Sequence, residues 1–251
     1  MTKYLFFFMS FCVATTTQAQ LRIAVESGLV FNQYNDVRTP NGDNDKGTLY
    51  SLTNDFKAPD FNSFIRAELT YTIIDRHAIQ LTAAPLQVNY SSFKDQTIDF
   101  AGKVFSGDDI DGRYEFNTYR LSYRYNIVRK PKIRFGLGAS LLMRDARIAL
   151  TQGNVTADDT DLGFVPLISF ELKYMPIEKL AFLLKGDALV GPQGRAEDVF
   201  LGATYKILDP LEIKLGYRII EGGASVDQVY NFALFHIVDI GLVYTFDFTK
   251  K

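Results

Sequence analysis

The sequence has no tryptophan, one cysteine and two histidines in 251 residues, and each scarcity removes a class of function. The single cysteine, Cys12, falls in an amino-terminal segment expected to be cleaved, which leaves no disulfide, thiolate nucleophile or cysteine metal ligand. His77 and His236 have no Ser or Asp at a spacing that suggests a hydrolytic dyad. Neither sign of charge dominates, with 27 Lys and Arg against 29 Asp and Glu, so there is no basic footprint for nucleic acid and no acidic tail. Beyond the leader no stretch approaches 18 consecutive apolar residues, which excludes a helical membrane protein. Nothing points to a cofactor, and none is expected.

What is present begins with export. Residues Met1 to Ala19 carry a cation at Lys3, an apolar run from Tyr4 to Ala14 and the small-residue end Thr17-Gln18-Ala19. That is the pattern of a secretory signal peptide cleaved before Gln20, and the run is too short for a spanning helix, which needs about 20 residues. Residues 20–251 are then one domain. Phe11 before Cys12 is too bulky for a lipoprotein processing site.

From Gln20 onward apolar and polar residues alternate with period two, the mark of a strand with two unlike faces. Leu21, Ile23, Val25, Leu29 and Phe31 oppose Arg22, Glu26 and Asn32; Ile65, Leu69, Tyr71 and Ile73 oppose Arg66, Glu68, Thr70 and Thr72. The pattern recurs over 113–128, 132–148 and 162–175, and further strands are read near 77–90, 179–190, 197–208, 212–221 and 231–246. The count is ten, with eight or twelve as alternatives, and an even number suits an antiparallel transmembrane β-barrel. Tight turns at Asp75-Arg76, Arg129-Lys130-Pro131, Pro176-Ile177-Glu178 and Asp209-Pro210 alternate with longer polar loops near 35–60, 91–112, 149–161, 191–196 and 222–230. Short turns at one end and long loops at the other place the short end, and both termini, in the periplasm. Pro85 and Pro166 fall inside strands and are read as bulges, with Leu86, Val88 and Tyr90 restarting the apolar face out of phase.

Five tyrosines, Tyr71, Tyr125, Tyr174, Tyr205 and Tyr244, sit on the apolar face near the short-turn end and are expected to form a headgroup-level aromatic girdle. The last strand, Asp239 to Phe246, resembles the terminal-strand signature of outer-membrane barrels, filled here by Asp239, Gly241, Tyr244 and Phe246. The resemblance implies recognition by the barrel assembly machinery, with the tail Asp247 to Lys251 as a departure. At the level of architecture the chain resembles small Gram-negative outer-membrane barrels over residues 20–251. Three stretches, 144–147, 191–195 and 216–223, look like loop-flanking motifs of an uncharacterised barrel family and carry no assigned chemistry.

Polar function must then sit inside the barrel or in its loops. Parity aims Arg22, Arg66, Arg120, Arg124, Arg134, Arg144, Lys173, Lys185, Lys206, Lys214 and Arg218 inward, against Glu26, Glu68, Glu171, Asp187 and Asp239. A paired network filling the interior is the preferred reading, because unpaired charge away from water is costly. A narrow anion-preferring pore is the alternative. Lys185 with Asp187, and Glu171 with Lys173, are expected to neutralise one another along their strands, while Glu68 and Asp239 are the leading partners for Arg120 and Arg124. Function is therefore read as a non-enzymatic envelope barrel with a structural or loop-mediated binding role, ahead of a pore and of a lipid-modifying enzyme. His236 is aimed at lipid or outer headgroups. The acidic clusters at 43–45, 108–111 and 158–161 lack the spacing of a calcium loop and read as solvated; no metal is expected. Arg147 and Arg195 at the rim are candidates to meet lipopolysaccharide phosphates, and outer-membrane lipid is the expected surrounding.

Overall fold

A computed structural model describes residues 19–59 and 61–248. The expected signal peptide up to residue 18 lies outside the described residues. Ten long antiparallel strands follow one another: β1 (Ala19–Arg38), β2 (Asn62–Ile73), β3 (His77–Ala84, resuming as Gln87–Ser92), β4 (Asp111–Lys130), β5 (Ile133–Gln152), β6 (Val155–Ile177), β7 (Leu180–Gly191), β8 (Gly194–Leu208), β9 (Leu211–Ser225) and β10 (Tyr230–Asp247). Each pairs with its sequence neighbours, and β10 pairs with β1 from Gln20 opposite Asp247 to Arg38 opposite Tyr230, closing the sheet. Closure removes the free edges that make an open sheet unstable in lipid. Both ends of the described chain lie at the end with the short turns.

The strands are longer than a membrane needs. β4 and β5 have 20 residues and β6 has 23, whereas a tilted spanning strand takes about 9 to 11. Segments read from sequence as loops 149–161 and 191–196 are strand: β5 and β6 meet in a turn at Gly153-Asn154, where Gly153 adopts φ 55°, and β7 and β8 meet at Pro192-Gln193. The third, 222–230, shrinks to 226–229. Only 39–61 and 93–110 are long connections, and the second contains a hairpin of its own, Gln96–Phe100 with Lys103–Gly107.

Polarity inverts along the strands, and β3 shows it most clearly. Near the turn end Ile79 and Leu81 face outward while Gln80 and Thr82 are buried inside. Beyond Pro85 the outward residues are Gln87 and Asn89, and Leu86, Val88 and Tyr90 are buried inside. Inward parity is unchanged, since Thr118 faces Ala84 and Glu115 faces Gln87 with two residues between them on each strand. No residue is inserted at Pro85, so the expected bulge there is corrected: the strand keeps its inward parity, and the apolar set passes from the outward to the inward face because the surroundings change. The barrel therefore has two storeys, a lower one apolar outside and polar inside, and an upper one built like a soluble protein.

Pro166 is not a bulge either; β5 and β6 stay in register through Leu141 opposite Pro166. Each proline instead lies two residues past the end of a ladder. The β2–β3 ladder ends at Ala67 opposite Ala83, and the β6–β7 ladder ends at Ile168 opposite Ala188. A residue without an N–H ends pairing without orphaning a donor. Register shifts fall elsewhere, at Gln33 on β1, at Ile127 on β4, and beside the short turns between Tyr174 and Ile177 on β6 and between Lys206 and Leu208 on β8.

Candidate functional site: a lumen closed twice

The lower storey is closed by charge. Asp198 on β8 accepts from three arginines: Arg66 Nη1 at 2.9 Å, Arg120 Nη2 at 2.5 Å and Arg218 Nη1 at 2.8 Å. Arg218 also donates to Glu26 at 2.6 Å and, through Nε, to Asp239 at 3.1 Å. Lys214 pairs with Glu26. Glu68 takes Arg66 Nε at 2.7 Å and Lys185 Nζ at 2.5 Å. Arg120 reaches Asp187 at 3.0 Å, whose other oxygen is 2.5 Å from Ser140 Oγ. Five cations (Arg66, Arg120, Lys185, Lys214, Arg218) thus meet five acids (Glu26, Glu68, Asp187, Asp198, Asp239), and the plug is neutral.

Two further features fill the space. Lys214 Nζ lies 3.9 Å above the centre of the Phe200 ring and the Arg218 guanidinium 5.1 Å from it, a stacked arrangement that helps a cation away from water. A Cβ at Gly202 or Gly216 would strike that ring, so these glycines make room for Phe200 and not for water. On the next level toward the turn end, Arg124 bonds Glu171 at 3.1 Å and Gln80 Oε1 at 2.9 Å.

Several sequence expectations are corrected here. Arg120 and Arg124 take Asp187, Asp198 and Glu171, not Glu68 or Asp239, and Lys185 crosses the barrel to Glu68 and does not pair with Asp187. Residues i and i+2 on one face stand about 6 to 7 Å apart, while a long side chain spans a narrow lumen, so most pairs form across it. Asp198 was missed, though it shares the inward parity of Gly202 and Lys206. The apparent surplus of cations is a matter of level. Arg22, Arg134, Lys173 and Lys206 line a basin of about 600 Å³ at the turn end, together with Glu171, Glu178 and Glu212. Arg22 stands 3.8 Å from Glu212, and Lys206 pairs with Asp209 at 3.0 Å. Arg144, expected in the lumen, pairs with Asp161 higher up.

The upper storey is closed by apolar packing. Leu52 and Phe56 from connection 39–61, and Ile98, Phe100, Phe105 and Ile110 from connection 93–110, are at most 1% exposed. They pack with Val37, Phe64, Tyr90, Leu150 and Phe235 from the strands into one cluster. Burying each large apolar side chain contributes roughly 1.5 to 3 kcal/mol, enough to hold two polar-tipped loops inside the rim. The loops also bond to each other, Thr48 N to Asp99 O at 2.8 Å and Ala101 N to Thr39 O at 3.0 Å.

The remaining candidates are on the walls and rim. Tyr71, Tyr125, Tyr174, Tyr205 and Tyr244 face outward near the turn end, 36 to 51% exposed. In the terminal strand Asp239 is buried inward, Tyr244 and Phe246 face outward with ring centres 4.6 Å apart, and Gly241 is needed because a Cβ would sit 2.7 Å from Val25 O. His77 and His236 are on the outer face against Tyr123 (2.8 Å) and Tyr217 (2.5 Å). At the rim Arg147 pairs with Asp158 at 3.0 Å, and Arg195 with Glu221. Among the described residues no three acids or histidines converge as a metal site.

No family model and no curated protein matches the sequence. Solved structures do. The outer membrane protease OmpT from Escherichia coli superposes over 90% of this chain and 97% of its own, with a TM-score of 0.56 at 12% identity. The fold is that of the small outer-membrane β-barrels. Ail of Yersinia pestis (TM-score 0.41, 9% identity, 91% of this chain and 99% of that) and Neisserial surface protein A (0.36, 13%, 90% and 97%) are more distant matches of the same kind. In this barrel the lower storey is the part with a lipid-compatible exterior.

Proposed function

We propose that this protein is a non-conducting outer-membrane barrel that displays a rigid apolar-cored head outside the cell and acts by binding there. The observation that carries the reading is the double closure: a neutral plug of ten paired charged side chains below, all but Lys185 buried, and an apolar core sealed by two connections above. An anion pore needs cations facing water, and here Arg66, Arg120 and Arg218 are bonded to acids and no more than 5% exposed. OmpT is a protease; in this chain both histidines lie on the outer wall against tyrosines, which supports a non-enzymatic role.

In this reading the short-turn end and both termini are periplasmic, the girdle tyrosines sit at the inner headgroups, and Asp239, Gly241, Tyr244 and Phe246 serve the barrel assembly machinery. Outer-membrane lipid surrounds the lower storey. Lipopolysaccharide phosphates would have to compete with Asp158 and Glu221 for Arg147 and Arg195, so the head and not its arginine rim is the favoured binding surface. Single-channel recording in planar bilayers tests the reading: no conductance steps above background are expected, and well-resolved steps would overturn it.

A further inference from the structure

The two ladder ends differ in what covers them. Above Ala67 and Ala83, the free edge of β3 is taken by a strand from the first connection, Phe56 opposite Ser92 and Lys57 opposite Ser91. Above Ile168 and Ala188 nothing in the described chain replaces the lost partner. β6 runs on to Val155 paired only with β5, and β7 runs on to Gly191 paired only with β8. The wall is parted there.

The depth of this parting decides what it faces. Ile168 is six residues above the girdle residue Tyr174, about 20 Å along the tilted strand and roughly 15 Å along the membrane normal, inside an apolar band about 25 Å tall. Phe164 on β6 and Val190 on β7 flank the parting with their outward side chains 65 and 69% exposed, so apolar wall continues above it. The lining is apolar too. By parity Leu189 points inward, yet it is 37% exposed, while its inward neighbours Ala181, Leu183 and Asp187 on the same strand are at most 6% exposed. Leu167 on β6 is buried beside the parting, and Ala196, opposite Leu189, stands opposite Gly222 on β9. Gly222 in turn lines a cavity of about 50 Å³ that Phe116 and Ile148 share with the Arg144–Asp161 ion pair, so the apolar lining is confined to the mouth of the parting. An open edge in hydrocarbon is normally forbidden by its unsatisfied N–H groups, and Pro166 is the residue type that presents none.

We propose that the parting between β6 and β7 is a lateral lipid site, in which one hydrocarbon chain of an outer-leaflet lipid lies between Pro166 and Leu189 and rests on Leu167 at the mouth of the parting. The proposal goes beyond binding at the head and is independent of it, because a non-conducting barrel with a sealed wall remains a non-conducting barrel.

The absence of native tryptophan gives a clean probe. Leu189→Trp is reconstituted into vesicles of phosphatidylcholine brominated on the acyl chain, with Leu183→Trp and the ring-for-ring Phe200→Trp as inward-facing controls. Bromine is expected to quench Leu189→Trp several-fold more than either control. Adding Pro166→Val, which restores a donor for the ladder, is expected to lower that quenching toward the controls. Quenching of Leu189→Trp no greater than the controls would show a sealed wall and overturn the site. Quenching by aqueous acrylamide but not by brominated chains would show a water-filled notch, and overturns the lipid occupant. Strong bromine quenching that Pro166→Val leaves unchanged overturns the part assigned to the proline.

Discussion

The two storeys of the barrel are built on the same strands with the same parity and opposite chemistry. On β3, Leu81 and Gln87 face the same way, six residues apart, yet Leu81 suits lipid and Gln87 suits water. Inside, Thr82 borders the ionic plug and Val88 the apolar core. The strand is interrupted at Pro85 and changes its neighbour on one side, but its inward parity against β4 is kept, so the inversion is carried by the side chains. A hydrophobic face is therefore not a fixed side of a strand but the side away from whatever solvent that level meets: outward in a bilayer, inward in water.

The largest effects should come from breaking each interior by its own rule. Arg218→Ala leaves Asp239 without its ion pair, takes one cation each from Asp198 and Glu26, and should destabilise the folded barrel by about 3 to 5 kcal/mol. Phe235→Ala, in the upper core, should cost a similar amount, about 3 to 5 kcal/mol, by leaving a cavity. Arg22→Ala in the basin should cost under about 1 kcal/mol, because its contact with Glu212 is long and part-exposed. Denaturant unfolding of the three variants measures the contrast, and an Arg22 effect equal to that of Arg218 would break it.

An intermediate effect separates the outer faces. Leu81→Arg should destabilise by about 2 to 4 kcal/mol near mid-bilayer, and Gln87→Arg by no more than about 0.5 kcal/mol. Equal costs would mean that both positions meet the same solvent.

The smallest effect is a pH dependence of the upper storey. Burial raises the Asp159 carboxyl above its ordinary 3.8, against the hydrogen bond from Thr39, and nearby Asp161 adds to the rise. Folding therefore favours the protonated acid. Its contribution to stability is full below pH 3.8 and is lost as pH rises through the raised value. Asp159→Asn should flatten that decline; an unchanged pH profile would remove Asp159 from the account.

Much of the fold was legible because a period-two pattern and an even strand count constrain a barrel strongly. Ten strands, the inward set Glu26, Arg66, Arg120 and Arg218, and the outward tyrosines follow from parity. The corrections share one physical cause, the assumption that the apolar side of a strand always faces out. Segments such as 149–161 then resemble polar loops, although Leu150 and Ala157 are buried inward-facing residues of continuous strands. The same assumption turned Leu86, Val88 and Tyr90 into a phase shift at Pro85. Partners in the plug were not legible at all, because Arg120 and Asp198 are 78 residues apart and meet only once shear and register are set. Asp198 itself is within reach of parity, since it lies in the strand read over 197–208 on the face of Gly202 and Lys206.

The central claim is that one face of one strand passes from lipid to water without a change of phase, and labelling along β3 tests it most directly. The only native cysteine, Cys12, lies in the expected leader, so single cysteines at Ile79, Leu81, Ala83, Gln87 and Asn89 can be read against a silent background. In the reconstituted protein a charged, membrane-impermeant maleimide is expected to modify positions 87 and 89 rapidly and to leave 81 and 83 unmodified until the bilayer is dissolved and the barrel unfolded. Modification of 81 and 83 as fast as 87 and 89, or protection of all five alike, would contradict the two-storey account.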